Sequence, residues 1–240
     1  MKKEIQQNLI YGKNAVKEAL RASRVLKVFV SNAFHDQTIS ALLKENVIPQ
    51  FVKTNDELNK LAQGGVHQGI VATIKPYEYS SIETILESCR KCERPILVML
   101  DGVVDPHNLG AILRCCDIFG VNGLIIGKHD QVGLSPTVAK TSAGAINYVP
   151  VAQVGNLNQT IELLKKNGFW IVSADGNCDK SYLDLKYDFP TVLVIGNEGE
   201  GISKLVLKNS DFIVKIPMYG KVNSLNASVA TGIFLAKIKG

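Results

Sequence analysis

Disulfide pairs, membrane-length apolar runs and the familiar nucleotide-binding loops are all missing from this chain. Five cysteines in 240 residues, Cys89, Cys92, Cys115, Cys116 and Cys178, are an odd number without framework spacing, so no disulfide scaffold is expected. Cys89 and Cys92 form a lone C-x-x-C with neither a second pair nor a histidine partner, and thiols ending an amphipathic helix are a plainer reading than zinc. No metal site is expected. No stretch is long and apolar enough to cross a bilayer, and the start, MKKEIQQNLIYG, has no hydrophobic signal core, so a soluble cytoplasmic protein is expected. Internal repeats and low-complexity tracts are absent as well.

What is present is ample core-forming material, with 46% hydrophobic residues, and an uneven charge. The net charge of +5 is confined to residues 1–75, which hold 11 Lys plus Arg against 6 Asp plus Glu; the other 165 residues balance at 16 against 16. Such asymmetry fits a segment that meets a polyanion, nucleic acid being the commonest, although scattered surface lysines produce the same count. The first third alternates helices (NAVKEALRAS, DQTISALLKEN, TNDELNKLAQ) with strands (VLKVFVS, PQFVK, HQGIVATI), and Thr54 with Glu57 forms a capping box. It reads as a small α/β domain over 1–75. Residues 76–94, bounded by Pro76 and Pro95, read as a linker containing a helix. From 95 to 240 the near-continuous apolar runs PILVML, GLIIG, FWIVSADG, TVLVIG and DFIVKIP imply a five- or six-stranded parallel sheet buried on both faces.

Two of these runs break into loops dense in small polar groups, TVLVIGNEGEGIS and DFIVKIPMYGKVNSLNASVAT, and together suggest one composite site near the C-terminus. Gly196, Gly199 and Gly201 permit close backbone approach to a ligand, with Asn197 and Glu198 as polar side chains between them. The spacing is G-x-x-G-x-G rather than the dinucleotide G-x-G-x-x-G, and Ile202 stands where a P-loop has lysine, which counts against hydride transfer and NTP hydrolysis. In the second loop Ser224 and Asn226 precede a helix rich in small residues, which implies close approach by another backbone; either residue is also compatible with a simple N-cap.

After the first buried strand comes DPHNLGAILRCCDIFG. Asn108 falls where an N-cap belongs, Leu109, Ile112, Leu113 and Cys116 form an apolar stripe, and the opposite face carries Gly110, Arg114 and Asp117. With no side chain at Gly110, the helix start and the Arg114 guanidinium are expected to be open to an anionic or ribose-bearing ligand. A surface ion pair of Arg114 with Asp117 accounts for the same residues. Cys115 and Cys116 read as small buried hydrophobes.

Asn108 to Arg114 (N-x-G-x-x-x-R), Ile195 to Ser203 (IGNEGEGIS) and Ile216 to Ser228 (IPM…VNSLNAS) resemble, in order and spacing, the three motifs of the SpoU family of RNA ribose 2′-O-methyltransferases. IYGKNAVKEAL and HQGIVA resemble the RNA-binding extension of the subgroup acting on a guanosine in large-subunit (23S) ribosomal RNA. The resemblance implies an α/β protein whose C-terminal parallel-sheet domain is a trefoil knot, an exception to unthreaded topology, beside a small N-terminal RNA-binding α/β domain. It implies S-adenosylmethionine as methyl donor, held by Ser173 and Ala174, by Gly196, Asn197 and Gly201, and by Ile216, Met218 and Leu225. It implies a homodimer joined through the knotted region, RNA as partner and Arg114 as catalytic residue. Since a guanidinium stays protonated, Arg114 is expected to hold the ribose or its phosphate and stabilise the forming alkoxide, while Asn108, Glu198, Ser224 and Asn226 fix the loop geometry. Transfer RNA as substrate, a non-catalytic RNA-binding assembly protein, and a nicotinamide enzyme are the competing readings; the last lacks its glycine fingerprint.

Overall fold

In a computed structural model, residues 8–222 and 224–240 are described. The chain divides into two units, one comprising residues through Glu78 together with Leu134–Asn147, the other Tyr79–Gly133 with Tyr148–Gly240.

The smaller unit is built from β1 (Leu9–Tyr11), α1 (Lys13–Arg21), β2 (Val25–Ser31), α2 (Gln37–Glu45), β3 (Gln50–Lys53), α3 (Asn55–Leu61) and β4 (Ile70–Ile74). Its four strands lie in the order β1-β4-β2-β3, with β4 antiparallel to both neighbours and β3 parallel to β2. Val28, Ile70 and Ala72 face one side and bury against Val16 and Leu20 of α1 and Ile39 and Leu43 of α2. Val71 and Leu9 face the other side and meet Leu58 of α3. The capping box opens α3: Thr54 Oγ1 accepts from the Glu57 N–H at 3.3 Å and the Glu57 carboxylate accepts from the Thr54 N–H at 2.9 Å. Strand β1 was not legible, because three residues on a sheet edge give no periodicity to read.

In the larger unit α4 (Ile82–Cys89) precedes β5 (Ile96–Asp101), α5 (Pro106–Ile118) and β6 (Gly123–Gly127). After α6 (Pro136–Thr141), which groups with the smaller unit, come β7 (Val151–Val154), α7 (Leu157–Lys166), β8 (Trp170–Ala174), β9 (Thr191–Gly196), α8 (Lys204–Lys208), β10 (Phe212–Val214) and α9 (Ala227–Lys239). The six strands are all parallel, in the order β10-β8-β9-β5-β6-β7. Ile96 to Leu100 are buried throughout, as a strand covered on both faces requires. One face, through Leu97, Met99, Ile125, Val192 and Val194, packs on α4, α7 and α8. The helix expected within the linker is α4, and it buries Ile85 and Leu86 in this core. The other face is covered by α5 and α9, whose Leu109, Ile112, Leu113, Phe234 and Leu235 are fully or nearly fully buried.

Strand order decides where a ligand can bind. From β5 the chain leaves toward β6 and β7, then returns on the other side so that β9 comes to lie against β5. Loops leaving neighbouring strands in opposite directions open a crevice at the strands' carboxyl ends. The loop after β9 therefore starts at the switch point, beside the loop after β5. Leu97, at the centre of this sheet with no exposed surface, is expected to cost about 2–5 kcal/mol of unfolding free energy when truncated to alanine, as measured by urea denaturation.

Candidate active site

Residues 197–201 close on themselves. The Asn197 N–H donates to the Gly201 carbonyl at 3.0 Å and the Gly201 N–H to the Asn197 carbonyl at 2.9 Å, while the Asn197 side-chain oxygen accepts from the Gly199 N–H at 2.7 Å. Gly196 makes this closure possible: a Cβ on it would stand 2.3 Å from the Gly201 carbonyl carbon. Two backbones thus touch with nothing between them, which no other residue type allows.

Glu198 projects from that loop, and its Oε1 accepts three hydrogen bonds. The donors are Asn226 Nδ2 at 2.6 Å, Asn108 Nδ2 at 3.1 Å and the Ala227 N–H at 3.2 Å. Asn226 Nδ2 also donates to Asn108 Oδ1 at 2.8 Å, and Asn226 Oδ1 caps α9 by accepting from the Ser228 and Val229 N–H groups. The Asn226 amide therefore has one allowed orientation, since a flip would set oxygen against the carboxylate. Asn226 is the N-cap that the small-residue helix called for.

Asn108 is not the cap of its helix. Asp105 takes that position, its side chain accepting from the His107 N–H at 2.8 Å with Pro106 at the first helical residue. The displacement is functional in effect, because Asn108, inside the first turn, keeps its side chain for Glu198 and Asn226. Gly110, expected on the open face, is buried. The small-residue stripe of α9 approaches this helix, with Gly232 facing Cys115 Sγ at 3.5 Å from its missing Cβ and that thiol 3.9 Å from the Ser228 carbonyl. Burial pushes the thiols of Cys115 and Cys116 above the ordinary range; Cys116 is a fully buried small hydrophobe as expected, whereas Cys115 is only partly buried.

Arg114 stands exposed on α5 and makes no hydrogen bond or ion pair among the described residues, with Asp117 or with the Asn108–Glu198–Asn226 cluster. The structure thus joins three of the five expected catalytic residues directly, sets Ser224 at the adjoining cavity and leaves Arg114 outside the hydrogen-bonded group.

That cavity, of about 430 Å³, opens between the loops after β8, β9 and β10 and the start of α9. Ala174, Gly196, Asn197, Gly201, Ile216, Met218 and Leu225 all line it, and so do Glu198 and Ser224. Ser173 does not. Strand alternation turns it to the opposite face, where it is fully buried and its Oγ meets Ser210 Oγ at 2.7 Å. Asp175, Asn177 and Lys215 line the cavity without having been singled out. The readable signal was Asp175-Gly-Asn directly after a strand, an Asx turn in which Asp175 Oδ1 accepts from the Asn177 N–H at 2.9 Å. Among the described residues no cluster of three or more His, Cys, Asp or Glu could hold a metal ion.

A parallel α/β sheet with a cavity at its strand ends, lined by Glu198 from an amide–carboxylate cluster, defines an enzyme domain that handles a small ligand. The SpoU rRNA Methylase family model matches residues 95–236, and the model described as RNA 2′-O ribose methyltransferase substrate binding matches residues 9–80. The chain belongs to the SpoU family of RNA ribose 2′-O-methyltransferases.

It is 42% identical over 236 residues to a Staphylococcus haemolyticus protein assigned to the TrmH family of tRNA/rRNA methyltransferases, covering 96% of this chain and 94% of that one. With YacO of Bacillus subtilis, assigned likewise, identity is 39% over 239 residues, covering 97% and 95%. Its fold is similar to that of the SpoU methyltransferase AviRb from Streptomyces viridochromogenes in complex with AdoMet, at a TM-score of 0.82, 23% identity, and coverage of 99% and 91%. The AdoMet-bound rRNA methyltransferase of Sinorhizobium meliloti gives a TM-score of 0.81 at 22% identity, with coverage of 99% and 88%.

Gly196→Ala is expected to break the loop's closure. Calorimetry with S-adenosylmethionine is the check, with binding reduced at least about tenfold and the far-UV circular dichroism of the sheet preserved.

Proposed function

We propose that S-adenosylmethionine occupies the cavity beside Gly196–Gly201, that the RNA substrate is a guanosine of large-subunit (23S) ribosomal RNA, and that the enzyme works as a homodimer. The observation that carries the reading is the cluster of Asn108, Glu198 and Asn226, whose Glu198 also lines the cavity.

The cavity suits this ligand in size and chemistry. Met218, Leu225 and Phe234 offer apolar contact for an adenine ring, and Asp175, Glu198 and Glu200, against the single cation Lys215, give the lining an excess of negative charge that favours a sulfonium. Two solved structures of this fold hold AdoMet. Bound there, S-adenosylmethionine supplies an electrophilic methyl group. The protein's part is to align a ribose 2′-OH with it and stabilise the alkoxide as the proton leaves. Arg114, the exposed guanidinium without an intramolecular partner among the described residues, holds the ribose or its phosphate. Asn108, Glu198, Ser224 and Asn226 keep the loops in register around the reacting atoms.

Two further features support the rest. Ile118 at the end of α5, Val222 in the loop before α9 and Val229 on α9 are exposed apolar side chains, at 67%, 74% and 50%, that a dimer face would cover. Arg114 lies one helical turn before Ile118, so the face that dimerises also carries the catalytic guanidinium. In the smaller unit Lys17 and Arg21 of α1 line a groove of about 540 Å³ with Asn14 and Gln68, a cationic and amide-bearing surface suited to RNA phosphates and splayed bases. The trefoil knot belongs to the same proposal.

Incubation with labelled S-adenosylmethionine and, separately, unmodified large ribosomal RNA and transfer RNA is expected to yield 2′-O-methylguanosine from the ribosomal RNA alone. Label in transfer RNA instead would reassign the substrate. Arg114→Ala is expected to bind cofactor normally and lose at least about a hundredfold in turnover. Ile118→Lys is expected to convert the dimer to monomer in sedimentation equilibrium and to lose activity with it.

A further inference from the structure

Asp101 ends β5 directly opposite Gly196 in the β5–β9 ladder, and its Oδ2 accepts from the Ser203 N–H at 2.8 Å. Ser203 stands just past the far end of the glycine loop and opens α8, a helix whose N-cap side chain makes no capping bond of its own. The next residue on the β5 side does the matching work at the near end of the loop, where the Gly102 carbonyl accepts from Asn197 Nδ2 at 2.7 Å. Both ends of the 197–203 segment are thus fastened to two consecutive residues at the exit of a strand buried on both faces.

We propose that Asp101 is a positioning residue for methyl transfer: it holds the glycine loop in its ligand-binding shape before the ligand arrives, and so places Glu198. The loop's internal hydrogen bonds make it a closed unit but do not by themselves hold that unit against the sheet. The Asp101 and Gly102 contacts share that task with the buried Ile202 side chain and the bonds that Glu198 accepts from Asn108, Asn226 and Ala227. Glycine-rich segments have the most freedom to lose. Asp101 does not line the cavity, so it acts through the Ser203 N–H rather than by touching the ligand. The Asp101 carboxylate accepts from the Ser203 N–H, which no side chain of the helix itself takes up. Pre-organising the loop lowers the ordering cost of binding, and keeps Glu198 within reach of Asn108 and Asn226.

The proposal rests on the reading that the cavity holds S-adenosylmethionine. Its test uses the full-length protein and three substitutions around one hydrogen bond. Asp101→Ala removes the acceptor. Ser203→Pro removes the donor at a backbone φ of −59°, which proline adopts without strain. Asp101→Asn keeps an acceptor oxygen.

Asp101→Ala and Ser203→Pro are each expected to weaken S-adenosylmethionine binding about tenfold by calorimetry, with Asp101→Asn within about threefold of wild type. The same two variants should show faster hydrogen exchange across 197–203 without ligand and a lower kcat, with KM for RNA unchanged. Wild-type cofactor affinity and wild-type exchange in Asp101→Ala and Ser203→Pro would reduce Asp101 to a structural cap and overturn the proposal. So would an Asp101→Asn variant as weak as Asp101→Ala, because charge rather than the hydrogen bond would then be responsible. A wild-type protein that fails to bind S-adenosylmethionine would instead overturn the underlying assignment of the cavity. Should Asp101→Ala fail to fold by circular dichroism, Ser203→Pro and Asp101→Asn decide the matter alone.

Discussion

A single carboxylate oxygen, Oε1 of Glu198, is the point on which three distant segments converge. It collects donors from Asn108, 90 residues earlier, from Asn226, 28 residues later, and from the Ala227 amide at the start of the last helix. An ionised acceptor saturated by three donors is a strong and directional tie. Because Asn226 simultaneously caps α9, the same residue that completes the site also sets where the last helix begins.

The sheet makes that convergence possible. β5 and β9 are neighbours in perfect register, Ile96 with Thr191 through Asp101 with Gly196, so the loops that follow them start side by side. Their apolar runs are buried on both faces, and burial of this kind leaves register with little freedom. α9 then lies against α5 along its small-residue stripe, where Gly232 and Ser228 admit Cys115. At the start of the same helix Asn226 meets Asn108, its Nδ2 donating to Asn108 Oδ1. Without the close helix contact the cluster at Glu198 would lose one side.

Much of this was legible along the chain, and the exceptions have physical causes. The buried strands β5, β6, β8, β9 and β10 announced themselves as β-branched runs, whereas β7, VAQV with its exposed Gln153 at the sheet edge, carries too short a pattern. Asp105 took the cap position from Asn108 because Pro106 presets the first helical residue, a competition between two good caps that sequence cannot arbitrate. Gly110 was assigned to the open face by helical spacing alone, but a helix covered on more than one side does not keep a single open face. Ser173, one step of strand alternation from the cavity-lining Ala174, turns its side chain to the buried face.

What the sequence determined by itself is most of the elements and the family: parallel strands from apolar runs, a helix start at Thr54, and three motifs in order along the chain. These are local properties, written in periodicity and in the turn chemistry of single residues. Tertiary structure alone decided which of those residues touch. Glu198 reaches Asn108 only because strand order sets β9 beside β5, Asp101 reaches Ser203 across 102 residues for the same reason, and Arg114 stays outside the cluster because α5 turns it to the exposed side. Contacts of that kind depend on strand order and helix packing, which are settled by burying the whole chain's apolar surface at once and leave no mark in any local stretch of sequence.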